Sequence, residues 1–160
     1  MQLRRKITIK SHETEYRGLI FRSKLEVRWA FLFDCLGVSW EYETKFYQIG
    51  KSSIFPDGKG YIPDFDLGYC TAEVKPDDPT GEEIAKALGV LGVTRKPFYF
   101  LIGSPDRFPK ITSMVYDRQC EGGIRFGIIP NHKALKVSAD DLEKAIILNR
   151  RMIFQKKRKV

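Results

Sequence analysis

The sequence predicts a single α/β domain whose mixed central sheet is flanked by helices, and three observations carry that prediction. A capped amphipathic helix comes early, in "FRSKLEVRWAFLFDCLG". Several short runs rich in aromatic and β-branched residues follow it closely, as strands do. A second helical pattern then separates "EVK" from the apolar run "PFYFLIG", a crossover that makes those two strands parallel neighbours in an otherwise mixed sheet. With 160 residues and 42% hydrophobic content the chain can bury one real core and is short for two.

The first helix is expected over about residues 24–36. Ser23 stands three residues before Glu26, a capping-box pattern, and Gly37 is a good C-terminal stop. "VSWEYET" and "KFYQIG" read as strands, "FPDGKG" as a turn, and "YIPDFDL" and "CTAEVKP" as the next pair, so a meander is expected. Thr80 and Glu83 repeat the capping pattern ahead of Ile84, Leu88 and Leu91 at helical spacing, until Gly89 and Gly92 weaken the helix. "ITSMVYD" and "IRFGIIP" form a further hairpin through "RQCEGG". A last helix starts at Ser138 with the apolar stripe Leu142, Ala145 and Ile146; polar Asn149 takes the next place on it, where the helix is expected to leave the core. The tail "QKKRKV" has little to bury. The expected domain is thus residues 1–160, with a core over about 16–103, an extension over 104–149 and a basic tail over 150–160.

Composition narrows the function classes. Twenty-eight Lys and Arg against 20 Asp and Glu give a formal charge of +8, which favours a polyanionic partner, nucleic acid being the simplest. Cys35, Cys70 and Cys120 are odd in number, far apart and without a CxxC pair, so neither a disulfide framework nor a zinc knuckle is indicated, and a reducing cytoplasm fits. The basic start "MQLRRKITIK" has no apolar run behind it, and no stretch has the length of a membrane span. No membrane partner is expected.

The chemistry gathers in "YIPDFDLGYCTAEVKP". Residues two apart on a strand share a face, so Glu73 and Lys75 project together while Ala72 and Val74 pack behind, and Asp64 and Asp66 share a face in the same way. A hairpin around Gly68-Tyr69 sets a carboxylate of one strand beside the Glu and Lys of the other. Two carboxylates with a backbone carbonyl make a hard oxygen site suited to Mg²⁺, and a neighbouring ammonium can orient a water, a combination that serves phosphodiester hydrolysis. Pro-Asp occurs four times, at 56, 63, 76 and 105, and an acid-x-Lys triplet three times, at Glu43, Asp57 and Glu73, so neither is distinctive alone. Only Pro63-Asp64 and Glu73-Val74-Lys75 fall on successive strands. Glu26 adds a third acid: at helical spacing it falls between Ala30 and Phe33, on the buried side of a face built by Leu25, Trp29, Leu32, Phe33 and Leu36. Capping with Ser23 accounts for one such Glu; it does not account for three carboxylates and a lysine converging.

"FRSKLE", "YIPDFDL" and "AEVKP", in that order, resemble the three motifs of the PD-(D/E)xK nuclease superfamily. The stretch "FRSKLEVRWAFLFDCLGVSWEYE" is also similar to the opening of phage junction-resolving endonucleases and of the endonuclease subunits that cut transposon ends. The resemblance covers about residues 16–76 for the motifs and extends to about 103 for the fold. It implies a restriction-endonuclease-like core of order αβββαβ and a Mg²⁺-dependent deoxyribonuclease, with Mn²⁺ able to substitute, that leaves a 5′-phosphate and a 3′-hydroxyl. Carried over residue by residue, Asp64, Glu73 and the Val74 carbonyl would ligate the metal, Glu26 would help hold the metal or its water, and Lys75 would position the attacking water. A structure-selective role on junctions or branched DNA, in recombination, repair or phage DNA processing, is implied as well. Junction resolvers act as dimers and transposon-end cutters act in complexes, so a homodimer and a protein-complex partner are the partner expectations beside DNA. Asp66 is a spare acid in register, and its sharing the role of Asp64 stays open.

Cations expected to meet DNA are Arg22, Lys24, Lys156, Lys157, Arg158 and Lys159, with Arg150 and Arg151 beside the tail; a solvated tail is the competing reading. His12 and His132 lack a spaced partner and are read as surface residues. Trp40, Tyr42, Phe46 and Tyr47 could stack on bases, but as favoured strand formers they are read as sheet packing. Two rivals stand beside the nuclease: a non-catalytic nucleic-acid-binding protein of the same fold, and a DNA-cutting subunit active only in a complex.

Overall fold

The computed structural model describes residues 13–107 and 109–154. A small hairpin, β1 (Thr14–Tyr16) and β2 (Leu19–Phe21), leads into α1 (Lys24–Leu36). Both ends of α1 are set locally: the Ser23 hydroxyl accepts the Glu26 N–H, and Gly37, in the left-handed region, closes the last turn. Then follow β3 (Glu41–Tyr42), β4 (Tyr47–Ile49), β5 (Lys59–Tyr61), β6 (Phe65–Asp66), β7 (Thr71–Lys75), α2 (Gly81–Thr94) and β8 (Phe98–Ile102). The chain finishes with β9 (Lys110–Tyr116), β10 (Ile124–Ile129), the short α3 (Asn131–Ala134) and α4 (Ala139–Arg151).

Six strands form the central sheet, in the order β10-β9-β8-β7-β6-β3. Its one parallel pair is β7 with β8, joined by α2; the other neighbours are antiparallel. Every residue of β8 is buried, as a strand covered on both faces must be. Alternation then divides the core. Tyr99 and Leu101, with Ala72 and Val74, pack against α1 and α4; Phe98, Phe100 and Ile102 pack against α2. Trp29 of α1 is fully buried and its indole N–H donates to the Gly103 carbonyl at 3.0 Å, which ties the helix to the end of β8. The expected hairpin of β9 and β10 forms, and β9 pairs along the whole of β8, so the sheet runs without a break past residue 103.

Two expectations are corrected. The four-strand meander does not form. β4 and β5 pair with each other as a separate ribbon, while β3 pairs with β6 in the sheet. Pro63, with no N–H to give to a ladder, divides "YIPDFDL" into β5 on one side and β6 on the other. Nor does the last helix leave the core at Asn149, which is fully buried two residues before α4 ends. Its side-chain amide donates to the Arg28 carbonyl at 2.7 Å, and its two oxygens accept from the Arg28 guanidinium at 2.8 and 3.2 Å. A polar side chain can hold an apolar stripe when its hydrogen bonds are met, and here they lock α4 to α1. No helix among the described residues is long and apolar enough to cross a membrane.

Candidate functional site

The β6–β7 hairpin pairs Phe65 with Ala72 and Asp66 with Thr71, which sets Asp64 opposite Glu73. The Asp64 N–H donates to Glu73 Oε2 at 3.1 Å, and Asp64 Oδ2 accepts the Val74 N–H at 2.8 Å. Asp64 Oδ1 has no hydrogen bond among the described residues and is not sealed from solvent. Ala72 and Val74 face the core as alternation requires, and Glu73 and Lys75 face the α2 side. There Lys75 Nζ lies 3.6 Å from Glu73 Oε1 and 3.3 Å from Glu83 Oε1, a residue of the first turn of α2. The other oxygen of Glu83 accepts the Thr80 N–H in a capping box, so the cap that starts α2 also aims a carboxylate at Lys75.

Two half-buried tyrosines serve the two glutamates. Tyr61 donates to Glu73 Oε2 at 2.6 Å and Tyr42 to Glu26 Oε2 at 2.5 Å. Burial first, then the neighbouring carboxylate, pushes both phenols well above the ordinary tyrosine range, so each stays a donor. Asp64 is 8% exposed, and its carboxyl is pushed up to about 8, by burial first and then by the charges of Glu73 and Glu26; the Val74 N–H and Lys75 act in the opposite direction without offsetting it. Glu26 is also raised, chiefly by burial. Within a protein of charge +8, this pocket is short of positive charge.

The structure therefore brings Asp64, Glu73 and Lys75 together on one hairpin. Glu26, at the start of α1, is near enough for its charge to act on Asp64, but its carboxylate is turned to Tyr42. Among the described residues no group of three or more Asp, Glu, His and Cys side chains is gathered as a ready metal cage. Val74 gives its N–H to Asp64 and its side chain to the core. Asp66 is engaged elsewhere: its Oδ1 accepts the Gly68 N–H at 2.7 Å and holds the turn between β6 and β7. Arg22 is largely exposed and pairs with Glu43 at 2.8 Å; Glu43 most of all, and more weakly Glu26 and Asp64, raise its pKa, which places it at the rim of the acidic pocket. Lys24 is exposed at the first position of α1. Lys156, Lys157, Arg158 and Lys159 lie outside the described residues, as does His12.

Sequence reasoning missed Tyr42, Tyr61 and Glu83 as parts of this site. Tyr61 opens the very stretch that carries Asp64, yet its partner depends on how β5 is placed. Glu83 was already accounted for by its cap. Compared with protein-family models, with curated proteins and with solved structures, the chain matches none.

Proposed function

We propose that this protein is a Mg²⁺-dependent DNA endonuclease of the restriction-endonuclease-like, PD-(D/E)xK type, acting through Asp64, Glu73, Lys75 and Glu26. One observation carries the proposal: two adjoining carboxylates, one of them held protonated near neutrality by burial and by the other's charge, with an ammonium beside Glu73 on its strand. The succession α1, β3, β6, β7, α2, β8 in and around the sheet supports it, being the αβββαβ order that the motifs imply.

The donor set fits a hard divalent cation. Asp64 and Glu73 offer adjacent carboxylate oxygens, and a cation there offsets the burial and the repulsion that raise Asp64. Asp64, Glu73 and the Val74 carbonyl would hold it, with Glu26 adding negative charge to the same spot. When bound, such an ion polarises the phosphoryl oxygen and lowers the pKa of a water. The chain's own groups do the rest. The Lys75 ammonium orients the incoming water and stabilises charge that develops on the phosphodiester as the P–O3′ bond breaks and the 3′-oxygen leaves with a proton. Glu83 keeps that ammonium on the reacting side of β7, and Tyr61 fixes the rotamer of Glu73.

Supercoiled plasmid, linear duplex, single strand and a four-way junction, each with Mg²⁺, Mn²⁺ or EDTA, test the proposal with wild type and Lys75→Ala. Metal-dependent cutting that the variant loses by about a hundredfold or more is the expected result, and branched DNA is the preferred substrate. Cutting unchanged by the variant overturns it; no cutting by wild type although DNA is bound overturns it as well and supports the non-catalytic or complex-dependent rival.

A further inference from the structure

β10 ends the strand order of the central sheet. It pairs with β9 along its whole length and has no strand on its other side among the described residues. One bond shows which of its backbone groups face that open side. The Asp117 N–H donates to the Gly123 carbonyl at 2.9 Å, so by antiparallel alternation Arg125, Gly127 and Ile129 spend their backbone groups on β9. Ile124, Phe126 and Ile128 turn theirs outward. Both ends of this row are fixed: Pro130 has no N–H to offer beyond Ile128, and Gly122 and Gly123, before Ile124, are in the left-handed region.

The same three residues put their side chains on the α2 side of the sheet. Ile124 packs with Met114, and the Phe126 ring lies 6.3 Å from that of Phe100. Phe126 is still 45% exposed and Ile128 73%. Such an edge is ordinarily guarded against other chains, and this one is not: from Ile124 to Ile129 there is no proline, lysine or acid, and the register to β9 runs without a bulge. Its one charge, Arg125, projects from the opposite face and is paired with Asp117 at 3.4 Å. Gly127 is the odd residue. Nothing stands within 4 Å of where its Cβ would be, and its φ is outside the left-handed region. Neither turn geometry nor packing within this chain asks for a glycine there, and a glycine inside a strand marks the close approach of another backbone.

We propose that β10 is the interface for a second copy of this chain, the two β10 strands pairing antiparallel about a twofold axis at Phe126. The edge itself selects that occupant. In this register Phe126 faces the second copy's Phe126 and Ile124 faces its Ile128, so every outward N–H and C=O of both strands is met and none is left over. Ile128, the most exposed side chain of the strand, gains Ile124 as its cross-strand neighbour. The charges agree. Arg125 falls opposite the second copy's Gly127, not opposite its Arg125, and each Arg125 keeps its own Asp117. Gly127 then leaves room where the Arg125 side chain of the other strand crosses. The contact is isologous and closes on itself, and the inference rests neither on DNA nor on turnover.

A strand-edge contact is small, so the dimer is expected to depend on concentration, with a Kd on the order of 10 µM. Sedimentation equilibrium of the full chain from about 1 to 200 µM, with amide hydrogen exchange at both ends of that range, tests it. Wild type is expected to pass from monomer to dimer, and the amides of Ile124, Phe126 and Ile128 to exchange about fivefold more slowly at the high end. Ile128→Lys, an edge guard placed at an exposed residue, is expected to weaken the dimer at least about tenfold and to leave those amides fast, with thermal unfolding near wild type. Leu148→Lys, on the exposed side of α4, is expected to dimerise as wild type does. A monomer at every concentration overturns the second copy as occupant; slow edge amides in that monomer would assign the edge to another segment of the same chain. A dimer that survives Ile128→Lys with its edge amides fast puts the interface elsewhere, and open-ended polymers contradict the twofold register; either overturns the proposal.

Discussion

Asp64 carries the sharpest consequences at the scale of single residues. Its carboxyl is raised from 3.8 to about 8, so between those values the folded protein keeps a proton that the unfolded chain has released. The stability this confers is greatest on the acid side and is lost as pH rises through about 8. Thermal unfolding in EDTA from pH 5 to 9 is expected to show that decline in wild type and to show less of it in Asp64→Asn. The variant keeps an acceptor for the Val74 N–H, cannot ionise, and at pH 9 should be the more stable protein by on the order of 1 kcal/mol while cutting no DNA. A variant as pH-dependent as wild type would remove Asp64 from the account of the pocket. Glu83 is a positioning residue with its own signature. Glu83→Gln keeps the capping bond and loses the charge facing Lys75, so kcat should fall roughly tenfold with a shifted pH profile, while KM for DNA and the melting temperature stay near wild type. A variant that loses stability and leaves the pH profile alone would make Glu83 a cap and nothing more.

At the scale of elements, legibility followed the range of the interactions. Both ends of α1 could be read to the residue because Ser23, Glu26 and Gly37 act within one turn of where they stand. The hairpin that joins Asp64 to Glu73 was legible for a related reason: a short turn and strand alternation fix its faces without outside help. Strand partners over longer range were not. Nothing local in "KFYQIG" says that it pairs with Lys59–Tyr61 instead of joining the sheet; Pro63 is the one mark, and its meaning depends on the ribbon packing on α2. Asn149 failed for a different reason. A hydropathy stripe scores an amide as exposed, whereas this one meets Arg28 of α1 across the core. Asn149→Ala should therefore cost about 1–3 kcal/mol by leaving the Arg28 carbonyl without its donor and taking one acceptor from the guanidinium, read as a lower midpoint in urea with an unchanged slope. An unchanged midpoint would show that water replaces those bonds. Tyr42, Tyr61 and Glu83 escaped the sequence because each reaches the site from an element whose placement only the fold decides.

Across the whole molecule the charges are divided by task. The protein is cationic overall, at +8, yet the pocket at the end of the β6–β7 hairpin is acidic, so under the proposed function the attraction of DNA is assigned to exposed cations outside it, among them Arg22, Lys24, Lys45 and Lys59. DNA affinity should fall steeply with salt, and Lys59→Ala should flatten the slope of log K against log salt by about one unit without changing which DNA is preferred. An unchanged slope would take Lys59 out of the DNA path. The acidic pocket itself gives the most direct test. Titrating Mg²⁺ or Mn²⁺ at pH 7 in two buffers of different ionisation heat counts the protons released when the ion binds. Wild type is expected to release nearly one proton per ion, because Asp64 must ionise to accept it, and Asp64→Asn is expected to bind far more weakly and release none. Binding by wild type with no proton released, or with the same release from Asp64→Asn, would contradict a cation seated between Asp64 and Glu73.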